Sequence, residues 1–435
     1  MRRLFWGGVH PPEAKEMASA AQVTVLPAPA QVVVPLSQHI GAPAQPLVAV
    51  GDQVKMGQKI GDGEGLCVPV HAPVSGRVIA IEDRPHPGGV RRAVVIENDF
   101  QDTAETALSP HPDGEELSPE EIRSIVREAG ITGMGGAAFP TAVKAQVEPG
   151  QVDLLIVNAC ECEPYITADD ALLRAHPGRV VDGARLLGTA VGARQVVLAV
   201  EDNKREAIAL LEQELAGRQD LELRVLPTRY PQGAEKQLIQ AVAGRQVPSG
   251  GLPKDVGCTV FNAATCAAVS QAVREGMPLI QRIVTVTGKG VAKPQNFLVR
   301  IGTTFGQVVE AAGGLREDVW EVLSGGPMMG VAQPNLEAPV VKFVNAILCL
   351  TQADNGERED PVCFRCGKCV EACPMHLQPL YFYRYGSNRN LSQLTRYRIA
   401  DCIECGCCAY VCPGKVPLVA AIREGKAMVK EGKAK

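Results

Sequence analysis

Eight of the fifteen cysteines fall into two runs of one pattern, Cys-x-x-Cys-x-x-Cys-x-x-x-Cys-Pro. The first is Cys363, Cys366, Cys369, Cys373 and Pro374; the second is Cys402, Cys405, Cys408, Cys412 and Pro413. Each cysteine of the first run recurs 39 positions later in the second. Four thiolates at this spacing suit a cubane [4Fe–4S] cluster, which takes three close ligands around one corner and a fourth from farther along the chain. Tetrahedral zinc is the bland alternative, but zinc sites seldom use four cysteines in one tight run, let alone twice with a proline after each. The pattern reads as a pair of electron-carrying centres.

The repeat resembles two-cluster ferredoxins, in which the fourth cysteine of each run ligates the other cluster. That resemblance assigns Cys363, Cys366, Cys369 and Cys412 to one [4Fe–4S] cluster, and Cys402, Cys405, Cys408 and Cys373 to the other. Cys407 breaks the two-residue gap and reads as a spare thiol packed beside the cluster. Cys67, Cys258, Cys266 and Cys349 lie in apolar sequence and read as buried small hydrophobes. Cys160 and Cys162 are spaced too closely for an unstrained disulfide, so packing is the simpler role. The histidines show no metal-ligand spacing; His10, His39 and His86 sit by turns and are expected to hydrogen-bond them or a partner.

A second chemical signal is Gly133-Met134-Gly135-Gly136-Ala137-Ala138-Phe139-Pro140-Thr141. Glycines packed this closely let a ligand lie against the backbone, because no Cβ intervenes. A glycine-rich loop alone is weak evidence of binding, but the next element strengthens it. A predicted strand, Leu154–Val157, ends in Asn158-Ala159-Cys160-Glu161-Cys162-Glu163-Pro164, a polar cluster at the carboxyl edge of a parallel sheet, where such sheets bind ligands.

The elements that must position these groups are legible in outline. With 435 residues and 46% hydrophobic content the chain can bury several cores, so about two to four domains are expected. Its 44 basic and 48 acidic residues give a formal charge of −4, which argues against nucleic acid as a partner. No export signal and no membrane-spanning run are visible; the best apolar stretch, near Val340–Leu350, is short and carries Lys342 and Asn345. Reduced thiolates fit the cytosol.

Residues 1–100 read as short strands, clearest at Val32–Leu36, Leu47–Val50, Gly76–Glu82 and Arg92–Glu97. Residues 101–117 read as an exposed acidic linker, and a helix then starts at the capping box Ser118/Glu121 with Pro119 at its first position. From there to about 245, strands (Leu154–Val157, Gln195–Val200, Leu221–Leu226) alternate with helices (Val180–Leu187, Lys204–Leu215), which predicts an α/β domain with a mostly parallel sheet. Strands at Ile283–Val286 and Phe297–Ile301 with a helix at Thr304–Ala312 fit a β-grasp module. The stripe Leu380, Tyr381, Tyr383, Leu391, Leu394 and Tyr397 is read as helical core of the cysteine-rich domain. The basic tail Lys415, Arg423, Lys426, Lys430, Lys433 and Lys435 reads as a solvated face.

Several of these stretches resemble known families. The order Val50-Gly51-Asp52-Gln53-Val54 to His71-Ala72-Pro73-Val74-Ser75-Gly76 looks like the barrel-sandwich of biotinyl and lipoyl carriers, but residues 61–76 hold no lysine to modify. The glycine loop and the Asn-Ala-x-Glu-x-Glu-Pro turn, with Tyr230-Pro231-Gln232-Gly233-Ala234-Glu235-Lys236 and Thr259-Val260-Phe261-Asn262, resemble the flavin-binding subunit of respiratory complex I. The resemblance implies non-covalent FMN held by Gly133, Gly135, Gly136, Lys144, Asn158, Glu163, Asn262 and Thr265. It implies Phe139, Glu161, Tyr230 and Glu235 facing NAD(H) as substrate. Met134, Ala138, Cys160 and Ala234 depart from that family's arginine, glycine, aspartate and glutamate.

Gly7-Gly8-Val9-His10-Pro11-Pro12, Pro35-Leu36-Ser37-Gln38-His39-Ile40-Gly41-Ala42-Pro43 and Arg84-Pro85-His86-Pro87-Gly88-Gly89 look like the RnfC family, one component of the Rnf complex, the ion-translocating ferredoxin:NAD⁺ oxidoreductase of bacterial membranes. The expected organisation is multidomain α/β: a barrel-sandwich hybrid at 1–100, an FMN/NADH-binding α/β domain at 118–275, a β-grasp (SLBB) module at 282–335 and an α-helical double [4Fe–4S] ferredoxin domain at 355–435. The resemblance also implies peripheral attachment to the cytoplasmic face of the membrane. The implied partners are the other membrane and peripheral Rnf subunits, among them an iron–sulfur subunit and ultimately ferredoxin, with ion translocation left to them. Two other readings stand beside it: a soluble FMN/iron–sulfur cobalamin reductase, and an electron-relay adaptor with a vestigial flavin pocket.

Overall fold

The computed structural model describes residues 5–20, 22–106, 108–112, 116–356 and 360–433. Its largest core belongs to a three-layer α/β domain. Ten elements build it: α1 (Pro119–Glu128), β1 (Leu154–Ala159), α2 (Ala168–Ala175), α3 (Pro177–Val191), β2 (Gln195–Glu201), α4 (Arg205–Glu214), β3 (Leu221–Leu226), α5 (Glu235–Ala243), β4 (Cys258–Asn262) and α6 (Ala263–Glu275). The strands are all parallel, in the order β3-β2-β1-β4. Such strands are buried on both faces, which is why they read as near-continuous apolar runs. Leu155 and Val157 pack against Ile122, Val180, Leu187 and Val269, while Leu154 and Ile156 pack on the other side against Leu238, Ile239 and Val242.

Local chemistry sets the helix limits. Ser118 accepts the Glu121 amide and the Glu121 carboxylate accepts the Ser118 amide, closing the expected box. Helices α3 and α6 meet so closely at Gly183 that a Cβ there would lie 1.8 Å from the Cys266 carbonyl oxygen. The sheet order reverses between β1 and β4, so a crevice opens at their carboxyl ends, where Asn158 and Asn262 are register partners.

The N-terminal region forms two small antiparallel sheets around Val32, Val34, Ile60, Val70, Val78, Val94 and Ile96. Its long hairpin is Gly76–His86 with Gly89–Asn98. Leu47–Val50, expected as a strand, is not one: the Asp52 carboxylate accepts the Ala49 amide at 2.8 Å and folds the segment into a turn, leaving Leu47 and Val50 exposed. His86 and His39 do bond turns, accepting the amides of Gly88 and Val68. The described part of 101–117 is no free linker, because the His111 amide donates to Val273 and Arg274 donates to the His111 and Pro112 carbonyls. Residues 107 and 113–115 of that stretch lie outside the described residues.

The β-grasp sheet has six strands, in the order Thr24–Val25, Gln295–Arg300, Gln281–Thr287, Ala346–Thr351, Val319–Ser324 and Val331–Ala332. Two of its strands lie outside 282–335, one from near the N-terminus and one, Ala346–Thr351, from beyond residue 335. The latter is the end of the apolar stretch that carries Lys342 and Asn345. Among the described residues, no helix is long and apolar enough to cross a membrane.

The last domain is helical, with Phe382, Leu394, Ile399, Val416, Ile422 and Val429 at its centre. The stripe read as core divides. Leu394 is buried, but Leu391 is exposed at the rim; the half-buried Tyr397 ring stacks with Tyr385, and that of Tyr381 lies tilted against both. Phe382, one position off the stripe, fills the centre instead. The tail is also not wholly solvated: Arg423 and Lys426 both pair with Glu404. Lys435 and the side chain of Lys433 lie outside the described residues, as do 357–359.

Candidate functional site

The glycine loop leaves α1 and folds back on itself. The Gly133 amide donates to the Phe139 carbonyl and the Thr141 amide to that of Ile131. The Met134 amide donates to the buried Thr265 hydroxyl at 2.9 Å, which ties the loop to the first turn of α6. Gly135 rides over Asn262, where a Cβ would come within 3.3 Å of that side chain. Gly136 has φ of 110° and open space before it, and Gly135, Gly136 and Ala137 are exposed. Outward-facing backbone next to a helix N-terminus is a ready place for a phosphate.

Asn262 caps α6 by accepting the Ala264 and Thr265 amides, and its own amide donates to Asp169 at 2.6 Å. Across the crevice Asn158 donates to the Gly233 carbonyl at 2.7 Å. Lys144 reaches the half-buried Glu235 carboxylate at 2.5 Å and lies 5.6 Å from the centre of the Phe261 ring. Thus Gly133, Gly135, Gly136, Asn158, Asn262 and Thr265 converge on the crevice. Lys144 and Glu235 pair with each other, and Phe139 is half-buried in the loop.

Three expected site residues point elsewhere. Glu161, at φ 46°, turns its carboxylate inward to accept the Asp169 and Asp170 amides at the start of α2. Burial pushes that carboxyl up, against the opposing pull of Lys15. Glu163 accepts the amides of Met328 and Met329 from the β-grasp module, and burial raises it as well. Tyr230 is buried and donates its hydroxyl to the Cys405 carbonyl at 2.7 Å. Asp169 and Lys15 are site residues that sequence reasoning missed. Asp169 sits in an ordinary-looking helix start, and the hydrogen bonds of Lys15 go to carbonyls, which no residue type gives away.

The cysteine runs ring two cavities. One is lined by Cys363, Cys366, Cys369 and Cys412. The other is lined by Cys373, Cys402, Cys405 and Cys408, with Cys407 beside them. The fourth cysteine of each run therefore lies with the first three of the other. Among the described residues no three His, Cys, Asp or Glu side chains are grouped as a site for a single metal ion.

The backbone repeats with the sequence. Arg365, Gly367 and His376 hold positive φ, and so do Glu404, Gly406 and Lys415, each 39 positions on. Such left-handed residues turn amides inward toward an anionic centre. The Leu377 and Glu404 amides donate to the sulfurs of Cys373 and Cys402.

The two cavities differ in setting. Cys363 and Cys366 are exposed, whereas Cys373, Cys405 and Cys408 are buried. The buried cavity adjoins the crevice at the sheet's carboxyl edge: Tyr230, Val9, Ala372, Cys405 and Cys407 form one apolar cluster with Cys162, whose sulfur accepts the Gly233 amide at 3.2 Å. Asn158, Gly233, Cys162, Tyr230 and Cys405 form a continuous packed seam.

Four family descriptions match the sequence: "RnfC Barrel sandwich hybrid domain" at 3–101, "Nuo51 FMN-binding domain" at 126–271, "SLBB domain" at 283–332 and "4Fe-4S dicluster domain" at 362–416. The C subunit of the proton-translocating ferredoxin:NAD(+) oxidoreductase complex of Clostridium ljungdahlii is 44% identical, over 87% of this chain and 83% of that one. Its counterpart in the Na(+)-translocating complex of Acetobacterium woodii is also 44% identical, over 89% and 88%. The C subunit of the ion-translocating oxidoreductase complex of Citrobacter koseri is 41% identical over 98% of this chain, which spans 61% of that longer relative. Among solved structures, an NAD+-reducing [NiFe]-hydrogenase in the H2-reduced state matches at a TM-score of 0.51 and 21% identity, over 73% of this chain and 64% of that one, a likeness of fold.

Proposed function

The chain belongs to the RnfC family, the C subunits of Rnf-type ferredoxin:NAD(+) oxidoreductase complexes, and we propose that it carries electrons between NAD(H) and an iron–sulfur partner through FMN and two [4Fe–4S] clusters. FMN, when bound, supplies the exchange between a hydride's electron pair and single electrons. The residues present fit it: an exposed glycine backbone stands beside the capped N-terminus of α6, at the point where the sheet order reverses. Gly133, Gly135, Gly136, Asn158, Asn262 and Thr265 line its place, and Lys144 offers a cation near it. Phe139 and Glu235 lie where a nicotinamide nucleotide would approach. Glu161, Glu163 and Tyr230 serve the site through what they hold: α2, the β-grasp loop and the buried cysteine cavity.

The observation that carries the reading is the seam from Asn158 to Cys405. On this reading a cluster held by Cys373, Cys402, Cys405 and Cys408 would sit next to the flavin, and one held by Cys363, Cys366, Cys369 and Cys412, whose first two thiols are exposed, would face a partner. The chain is held at the cytoplasmic face of the membrane by partner subunits. Relatives at the same 44% identity are named for different ions, H⁺ and Na⁺, which fits ion translocation residing in those partners.

The test is composition and a partial reaction. Anaerobically reconstituted protein should contain about eight irons, two cubanes' worth, bind FMN non-covalently and reduce ferricyanide with NADH. Full iron with no flavin and no response to NADH would make it a relay adaptor instead.

A further inference from the structure

The segment Phe5–Lys15 runs outside every sheet and touches both halves of the electron path. Gly7, at φ 71°, passes so close to the buried cavity that a Cβ would lie 2.8 Å from the Cys373 carbonyl. The Gly8 amide donates to the Ala372 carbonyl at 2.9 Å. Val9 and Tyr230 exchange two backbone bonds, of 2.8 and 3.0 Å. The Arg229 guanidinium donates to the Phe5 and Gly7 carbonyls. At the other end the Tyr165 amide donates to the Glu13 carbonyl at 2.7 Å.

Lys15 then enters the turn that follows β1. Its ammonium donates to three carbonyls, those of Glu161 at 2.9 Å, Glu163 at 3.0 Å and Ile166 at 2.5 Å. Carbonyls that converge on one point repel each other and, when buried, need a donor. The turn is also strained: Glu161 and Tyr165 hold φ of 46° and 69°, and Ala14 of the strap holds 48°. Non-glycine residues stay in that region only when their surroundings fix them. Lys15 holds the Glu161 carbonyl here, beside the bonds of the Glu161 carboxylate to α2 and of the Tyr165 amide to Glu13, and it comes from outside the span matched as FMN-binding, 126–271.

We propose that Lys15 is the positioning residue of the cofactor-side turn Asn158–Ile166, and that the strap Phe5–Lys15 joins this turn to the buried iron–sulfur cavity as one unit. The proposal rests on the flavin reading for the ligand, but not for the contact itself. Without the ammonium, the turn relaxes away from the crevice and Asn158 and Cys162 lose their places. Without the close pass at Gly7, the turn stays formed but the cavity shifts relative to it.

The experiment uses the full-length, anaerobically reconstituted protein and three variants: Lys15→Met, Lys15→Arg and Gly7→Val. FMN affinity is read by quenching of flavin fluorescence, and amide hydrogen exchange is read without FMN. Lys15→Met should weaken FMN binding about tenfold or more, the scale of losing charge-assisted bonds. It should also speed exchange across 160–166 at unchanged iron content. Lys15→Arg should recover part of the affinity, since guanidinium also offers several donors. Gly7→Val should leave FMN affinity alone yet slow reduction of the buried cluster by NADH by roughly tenfold to a hundredfold. Wild-type affinity and exchange in Lys15→Met would overturn the proposal, as would a Lys15→Arg protein no better than Lys15→Met. If Lys15→Met fails to fold, Lys15→Arg and Gly7→Val still decide it. If the wild type takes up no FMN, the flavin reading falls, and exchange at 160–166 still judges Lys15.

Discussion

Replacing Tyr230 by phenylalanine removes one hydroxyl from the seam between the flavin crevice and the buried cysteine cavity, and leaves the packing against Val9, Ala372 and Cys407 in place. The hydroxyl donates to the Cys405 carbonyl at 2.7 Å in a site with no room for water, since Tyr230 is 2% exposed. The lost bond leaves a buried acceptor unpaired, which costs about 1–3 kcal/mol. A cluster held by Cys405 would gain negative charge on reduction, and losing the donor on that ligand's own carbonyl would disfavour the reduced state. If about 1 kcal/mol of that cost is differential between the two states, the one-electron potential falls by roughly 40 mV in the variant. Redox titration followed by electron paramagnetic resonance would resolve the two clusters. The expected result is a downward shift confined to one of them, with FMN affinity and iron content unchanged. Equal shifts in both clusters, or a shift in the cluster assigned to the exposed cysteines, would refute the argument that Tyr230 adjoins the centre held by Cys405.

Cys412→Ala should abolish the exposed cluster and spare the buried one, although Cys412 belongs to the second run. Iron analysis should give about half the wild-type content, with the Tyr230-sensitive signal retained. Gly183→Ala forces a methyl against the Cys266 carbonyl, 1.8 Å away as the backbone stands. It should lower stability by about 1–3 kcal/mol in urea denaturation and weaken FMN binding, because α6 carries Asn262 and Thr265. Lys342 is buried, donates to the Pro69 and Gly130 carbonyls at 2.7 Å each, and is brought down by burial from 10.5 to about 7. Between those values the unfolded chain binds the proton and the folded one does not, so this group's contribution to stability rises with pH above about 7 and is flat below it. Denaturation across that range should show the rise in the wild type and lose it in Lys342→Met.

What the sequence disclosed follows from how local each signal is. The grouping of the cysteines around two cavities could be read because three of each four lie within seven consecutive residues, a spacing that suits a cubane and survives whatever the rest of the fold does. The parallel sheet could be read because strands buried on both faces have no polar face to interrupt them, as in Leu154–Ala159. That same continuity hid Ala346–Thr351, whose apolar run differs from a buried loop only through the strands on either side of it. Leu47–Val50 failed for the opposite reason: a single carboxylate close by, Asp52, overrode its strand propensity.

The hardest cases are residues whose partners are backbone. Lys15 meets carbonyls about 150 positions away, and a carbonyl carries no residue type for a pattern to match. Glu161 and Tyr230 were found because they sit in a recognisable motif, but a motif gives identity and not direction. One carboxylate caps a helix and one hydroxyl faces a cysteine loop, because in each case an unpaired backbone group lay within reach. The seam from Asn158 to Cys405 is likewise made of side chains that bond backbone groups. Substitutions at Gly233, Cys162 and Tyr230, which supply no cluster thiolate in this assignment, should act through geometry, separating NADH oxidation at the flavin from delivery to the clusters, and should leave the cofactor content of the protein largely intact.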